Sequence, residues 1–304
     1  MQTPWGEFAV GDAHVHFFSR RFYAAIGSQC GKTAEQVVAA TGWDLPPEDP
    51  AELARAWARE LDDHGLARAA LIASVPGDEA SVDAALAACP GRFYGYFMVN
   101  PMEEGAVQRV QIALRCGLHA MCLFPSMHRY SIQDPKVEAV IQAIAENRGR
   151  AVFVHCGALT VGIRKKLGLN WAFDLQYANP IAVQGVALRH PNVKFVVPHF
   201  GAGFLREALM LADTCPNVLL DTSSSNSWMR YEGLELKTVL RRTLDVAGPQ
   251  RLLFGTDSSF FPRGWNYEVY EAQTRAMLDL GISSGDARAI LEENLQRLFE
   301  PGGN

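Results

Sequence analysis

Gly11-Asp-Ala-His-Val-His-Phe17 reads as a short strand whose carboxyl end carries two imidazoles two residues apart. The first strand of an open, doubly wound sheet would run into a glycine-rich phosphate turn, and this stretch has none. Successive side chains of a strand point to opposite faces, so His14 and His16 share a face and can reach a single ion. The stretch therefore favours a closed barrel over a nucleotide-binding sheet and supplies half of a metal site. A His-x-His pair is weak ground alone, and the rest of the chain must carry the argument.

Working outward, short β-branched or aromatic runs alternate with longer amphipathic stretches. Strands are predicted at 8–17, 67–74, 92–100, 118–126, 150–157, 192–201, 217–225 and 251–259, each bounded by Gly, Pro, Asn or Asp. Helical spacing occupies 51–61, 79–89, 103–116, 135–147, 180–190, 203–214, 235–247 and 267–280. Asp134-Pro135 and Asn179-Pro180 are start signals, since Asp or Asn can cap and Pro fits the first helical position. Strict alternation requires parallel strands with right-handed crossovers, and eight such units close into a (β/α)8 TIM barrel. The expectation is one domain over residues 1–304, with a last helix at 286–299 packing against it. Two connections are long, 18–50 after the first strand and 158–178 after the fifth. Both lie on the face where barrel enzymes keep their sites, so they are expected to form lids or substrate walls.

At 304 residues and 48% hydrophobic, the chain can bury a large core, and a net charge of -5 without long charged runs argues against nucleic acid or an anionic membrane as partner. The six cysteines form no Cys-x-x-Cys pair, which suits free thiols in a reducing compartment. The N-terminus lacks signal-peptide features, and no apolar run approaches the ~20 residues of a membrane span. A cytoplasmic protein is expected.

A barrel interior is filled by aliphatic side chains, so ionisable residues at the carboxyl ends of strands stand out. They fall on strands one, five, six and eight: His14 and His16, His155 in Val-Phe-Val-His-Cys-Gly, His199 in Val-Val-Pro-His-Phe-Gly, and Asp257 in Leu-Leu-Phe-Gly-Thr-Asp. Neutral imidazoles with one carboxylate suit Zn2+, which takes about four N or O ligands and keeps an open position in catalytic sites. Mn2+ or Fe2+ would also accept that set.

On these motifs the sequence resembles the amidohydrolase superfamily. Within it, the resemblance is to the amidohydrolase-related (amidohydrolase 2) group that includes aminocarboxymuconate semialdehyde decarboxylase, γ-resorcylate decarboxylase and pyrone dicarboxylate lactonase. Asp12-Ala-His-Val-His16, Val154-His-Cys-Gly157, Pro198-His-Phe-Gly201, Gly255-Thr-Asp257 and Ile290–Phe299 carry it across nearly the full chain. The resemblance implies that His14, His16, His155 and Asp257 bind the metal, Asp257 also exchanging a proton with water. It places His199 beside the ion as general acid/base or water-orienting group. The fourth-strand lysine that binuclear members carbamylate is missing from Leu118-His-Ala-Met-Cys-Leu-Phe-Pro-Ser126, which implies one divalent ion.

A divalent ion lowers the pKa of bound water toward ~7 and polarises a carbonyl or carboxylate oxygen. With a small carboxylated lactone, ester or amide, such a site hydrolyses. With an aromatic or muconate-like acid, an acid group can protonate the carbon bearing the carboxylate, and CO2 then leaves. Arg20, Arg129, Arg164 and Arg263, in loops after strands one, four, five and eight, are candidates to grip the substrate carboxylate bidentately. His128 is a further candidate of the fourth loop. Asp221 is expected to hydrogen-bond loop backbone or residues behind the site, and Cys156 to point away from the barrel interior. His64 is read as a helix ending and His190 as lying on the opposite, stability face. The resemblance also makes a homodimer an expected assembly, in which a loop of one subunit could complete the other's pocket.

Overall fold

The computed structural model describes residues 1–159, 162–223 and 226–300. Eight parallel strands pair in chain order: β1 (Gly11–Phe17), β2 (Arg68–Ala73), β3 (Phe93–Met98), β4 (Ala120–Leu123), β5 (Ala151–Val154), β6 (Lys194–Val197), β7 (Val218–Asp221) and β8 (Leu252–Leu253). The ring closes between β8 and β1 through Ala13 N–H to Phe254 O (2.8 Å), Asp257 N–H to His14 O (3.0 Å) and His16 N–H to Ser258 O (2.7 Å). The predicted (β/α)8 barrel is the observed fold. A short hairpin, Gln2–Thr3 with Gly6–Glu7, precedes it.

Side-chain alternation divides the apolar residues into two layers. Val15, Phe17, Leu71, Phe97, Met121, Val152, Val154 and Cys156 pack outward against helices. Ile72, Tyr96, Met98, Cys122, Phe153, Val196 and Leu253 fill the barrel. Cys156 thus faces outward, as alternation required. The register shifts between Asp12 and Val15. A bulge of this kind re-aims side chains, and here it leaves His14 and His16 facing the barrel mouth. Buried Asp12 fastens the closing seam by accepting from His14 N–H (2.9 Å), Thr256 N–H (3.1 Å) and Trp265 Nε1–H (2.8 Å).

The helices follow the expected capping chemistry. Asp134 accepts from Lys136 N–H and Asn179 from Ile181 N–H, each with proline in the first turn. His64 ends Pro50–Asp63, and His190 pairs with Glu138 on the far face. The 180–190 stretch is a 3-10 turn, Pro180–Val183, leading into Gln184–Arg189. The C-terminal stretch is Ser284–Arg288, a π-helical turn at Ala289–Glu293, and Asn294–Arg297.

Three readings are corrected. First, residues 18–50 are not a plain loop. They hold helices Arg20–Ser28 and Ala34–Thr41, the second opened by a capping box of Thr33 and Gln36. Phe22, Tyr23, Ile26 and Val37 from this insertion pack on Ile163 of the second insertion, so the two cover the mouth together. Second, 158–178 carries Gly162–Lys166 and the turn Leu175–Tyr177, residues 160–161 lying outside the described residues. Third, several strands are shorter than expected. The ladder of β8 stops at Leu253 and that of β7 at Asp221, because the following residues turn inward to build the site; positions 224–225 lie outside the described residues.

All six cysteines are free thiols, and no helix among the described residues is long and apolar enough to cross a membrane.

Burial drives the His128 imidazole down to about 4, against a small opposing pull from Glu103; burial, with Arg150 adding to it, does the same at His119. An unfolded histidine takes up its proton near ~6.5, so these neutral groups stabilise the fold fully above that pH and lose their contribution as pH falls toward 4. Thermal melts should therefore show a His128→Gln variant losing less of its midpoint than the unaltered protein between pH 6.5 and 4.5. Parallel curves for the two proteins would contradict this.

Candidate metal centre and active site

Five ionisable residues from four strand ends line one cavity of about 250 Å³: His14, His16, His155, His199 and Asp257. Asp257 Oδ1 is 3.2 Å from His16 Nε2 and 3.5 Å from His14 Nε2. The His199 ring centre is 4.9 Å from that of His14 and 5.3 Å from that of His155. All five line the same cavity, but the ligand atoms that lie within 4.8 Å of one another are those of His14, His199 and Asp257, a set that includes His199 and leaves out His16 and His155.

Backbone geometry at the strand ends aims these groups. His199 (φ 56°) and Asp257 (φ 59°) are left-handed, as are Phe200 (φ 54°) and Ala202 (φ 43°) beside them. Such conformations cost roughly 1 kcal/mol or more for ordinary residues, and they gather where function demands a particular side-chain direction. Gly157 explains its place in Val154-His-Cys-Gly: a Cβ there would collide with the carbonyls of Gly201 and Ala202.

Hydrogen bonds behind the rings fix the tautomers. His14 Nδ1 faces Asp221 Oδ2 at 2.7 Å, and His199 Nδ1 faces Ser223 O at 3.1 Å. Both partners only accept, so each Nδ1 carries the hydrogen and each Nε2 keeps a lone pair. His16 Nδ1 is 2.8 Å from Ser74 Oγ, whose own proton goes to Ile72 O, which sets the same tautomer. His155 Nδ1 is buried without a hydrogen-bond partner.

Charge balance matches a cation site. Burial pushes the His155 imidazole well down, with His199 and His14 adding to it, so it stays neutral. Burial also lowers His199, outweighing the carboxylates Asp257 and Asp221. At His14, burial is the largest single influence and acts downward, yet Asp221, Asp257 and Asp12 together raise it. Burial works to raise Asp257, but the imidazoles packed around it, His16 first and then His14 and His199, hold its carboxyl well below the usual range. Asp221 is likewise held ionised by His14 and His199 against its burial. An orphaned buried imidazole, free Nε2 lone pairs and two ionised carboxylates fit a divalent ion, and the His14–Asp221 pair is the carboxylate–imidazole arrangement that orients metal ligands.

The arginines divide. Arg263 lines the cavity, its Nη2 donating to Asp257 O (3.2 Å) and Ser259 Oγ (3.0 Å) and its guanidinium lying 4.6 Å over the Phe260 ring. The other three are not brought to the cavity. Arg20 braces the first insertion through Glu35 (2.7 Å) and Pro46 O (2.9 Å). Arg129 donates to Ala172 O, and Arg164 to Gln29 Oε1 and Asn170 O. Their charges are spent on tying loops together. His128 is not on the cavity wall, its neighbour Met127 being there instead.

The aromatic walls escaped the sequence reading. Phe18 stacks on Phe22 at 3.8 Å, and Trp43 on Phe260 at 3.9 Å, and Phe124 also lines the cavity. Phe17-Phe18, at the end of β1, and Phe260-Phe261, beyond β8, were the available signal.

A (β/α)8 barrel that gathers four histidines and an aspartate at the carboxyl ends of its strands defines an enzyme of the amidohydrolase superfamily. The chain belongs to the amidohydrolase (Amidohydro_2) family, whose pattern matches residues 8–300. A curated relative, Protein fluG of Emericella nidulans, is 31% identical over 139 residues; the match covers 42% of this chain and 16% of that protein's length. Among solved structures, 5-carboxyvanillate decarboxylase LigW from Sphingomonas paucimobilis superposes with a TM-score of 0.68 at 16% identity, covering 97% of this chain and 100% of that one. A probable 2-pyrone-4,6-dicarboxylic acid hydrolase from Acinetobacter baumannii, with citric acid bound, gives 0.63 at 13% identity, covering 96% and 99%. An amidohydrolase from Burkholderia multivorans with bound zinc gives 0.62 at 19%, covering 95% and 98%. At such identities the likeness is one of fold.

Proposed function

We propose that the protein is a metal-dependent hydrolase of a small carboxylated lactone, ester or amide whose body is flat and apolar. His14, His16, His155 and Asp257 would hold one divalent ion, zinc by the chemistry of the donors, with Mn2+ or Fe2+ as substitutes. When bound, the ion supplies a lowered pKa to water and polarises a substrate oxygen. The observation that carries the hydrolytic reading is the arrangement of acceptors at the centre. Asp257 Oδ1 lies 3.2 Å from His16 Nε2 and 3.5 Å from His14 Nε2, and His199, tied through Nδ1 to Ser223 O, leaves its Nε2 free to accept, as activation of water requires. Asp257 or His199 takes the proton from water and returns it to the leaving oxygen or nitrogen. The stacked aromatic pairs shape a slot for a planar group and keep bulk water out. Six free thiols support a reducing, cytoplasmic setting.

Among the described residues Arg263 is the Lys or Arg that lines the cavity, and it anchors the substrate carboxylate. An Arg263→Gln variant should raise KM by roughly 10- to 100-fold with a smaller change in kcat, the worth of one charged hydrogen bond. An unchanged KM would place the anchor elsewhere.

The aromatic walls also favour a second reading, non-oxidative decarboxylation of an aromatic acid. There a protonated site residue would add a proton to the ring carbon bearing the carboxylate, and CO2 would leave. A panel of lactones, aryl esters and aromatic carboxylates, with acid release and CO2 followed separately, tests both. Acid release without CO2 supports hydrolysis, and CO2 without a hydrolytic product overturns it.

A further inference from the structure

Ser223 lies between two imidazoles that come from different strands of the barrel. Its hydroxyl oxygen is 3.0 Å from His14 Nδ1 and 2.9 Å from His199 Nδ1, and the residue is fully buried. Both Nδ1 atoms carry hydrogen, because each also faces a group that only accepts: Asp221 Oδ2 for His14 and Ser223 O for His199. A hydroxyl has two lone pairs, and two N–H groups approach this one. The seat is built for it. Ser223 N–H donates to Asp221 Oδ1, which fixes the turn, and Gly255 leaves the necessary room. A Cβ on Gly255 would stand 3.0 Å from Ser223 Cβ and 2.9 Å from His14 Cβ.

We propose that Ser223 is a positioning residue that fixes the tautomer and ring orientation of His14 and His199 as one unit. Asp221 Oδ2, at 2.7 Å, can hold His14 without the hydroxyl, whereas His199 has only the longer 3.1 Å contact to the Ser223 carbonyl besides it. The shared hydroxyl links them, so neither ring turns without breaking a bond to the oxygen that steadies the other. Both rings consequently keep Nε2 bare toward Asp257 and the cavity. Groups of this kind behind a metal ligand are worth about 10- to 100-fold in metal affinity or activity.

The test uses the full chain, unaltered and as Ser223→Ala and Ser223→Thr. In metal-free protein labelled with 15N-histidine, two-bond nitrogen–proton couplings report each tautomer. The unaltered protein and the Thr variant should show His14 and His199 each as a single Nδ1–H form. The Ala variant should show His199 as a mixture. Zinc affinity from chelator competition should weaken roughly tenfold in Ser223→Ala and be largely restored in Ser223→Thr, which keeps the hydroxyl. The assignment is overturned if Ser223→Ala keeps single tautomers and unaltered zinc affinity, or if either ring of the unaltered protein is the Nε2–H form, a result that needs no variant to fold. The zinc arm rests on the metal reading above, and the tautomer arm does not. Unaltered protein that takes up no zinc while showing both Nδ1–H forms would sink the metal reading and uphold Ser223.

Discussion

A His14→Ala, His16→Ala double variant, purified without chelator, should retain under about a tenth of the divalent ion bound by the unaltered protein and lose at least ~10³-fold in kcat/KM. Two of the four proposed ligand positions disappear, and with them the neighbours that hold Asp257 ionised. The fold should survive, because neither imidazole bridges the closing seam. That seam is made by backbone groups and by Asp12 with Thr256 and Trp265, all of which remain. The loss of the His14–Asp221 bond leaves a buried carboxylate partly uncompensated, so a fall in melting temperature is expected while secondary structure is kept. Elemental analysis, circular dichroism and the substrate panel make the three measurements. Metal content near that of the unaltered protein, or activity that resists chelators, would remove the metal reading altogether.

How much of this was legible in the sequence depends on what each signal encodes. The eight strands were readable because a strand buried on both faces must be a short apolar run with a turn residue at each end, as Arg68–Ala73 and Ala120–Leu123 are. The site was readable because polar side chains at the ends of such runs have no place in a packed barrel. What was lost is information held between distant segments. Arg20, Arg129 and Arg164 look alike in sequence to Arg263, yet three find carbonyl, amide or carboxylate partners in the insertions and only Arg263 turns to the cavity. The helices of 18–50 were missed for a different reason. Their Ser19 and Thr33–Gln36 caps were present, but a polar segment with Gly31, Gly42 and three nearby prolines reads as a loop until Ile163 supplies the surface on which it packs. Asp221 was read as a residue behind the site, and the structure pairs it with His14.

Replacement of Asp257 by asparagine isolates the group on which the proposed chemistry turns. Asparagine matches aspartate in shape and tolerates the left-handed φ of 59° at this position, whereas alanine would add strain of roughly 1 kcal/mol. The backbone bond from residue 257 N–H to His14 O and the Arg263 bond to its carbonyl are independent of the side chain, so the barrel seam persists. The change therefore removes a charge and a proton acceptor and little else. Loss of the general base alone lowers kcat by ~10²- to 10⁴-fold. The pH profile gives a second readout with a definite sign. A carboxylate held below the usual range is ionised throughout an assay from pH 5 to 9, so its deprotonation should not appear as the acidic limb of the kcat profile in the unaltered enzyme. Metal content separates the two roles proposed for the residue. An Asn variant that keeps its ion but has lost kcat locates the defect in proton transfer, while one that has lost both shows that Asp257 is needed chiefly as a ligand. A variant that keeps kcat within threefold of the unaltered enzyme would rule out both roles, because one carboxylate among four imidazoles cannot be dispensable in a site whose proton acceptor it is.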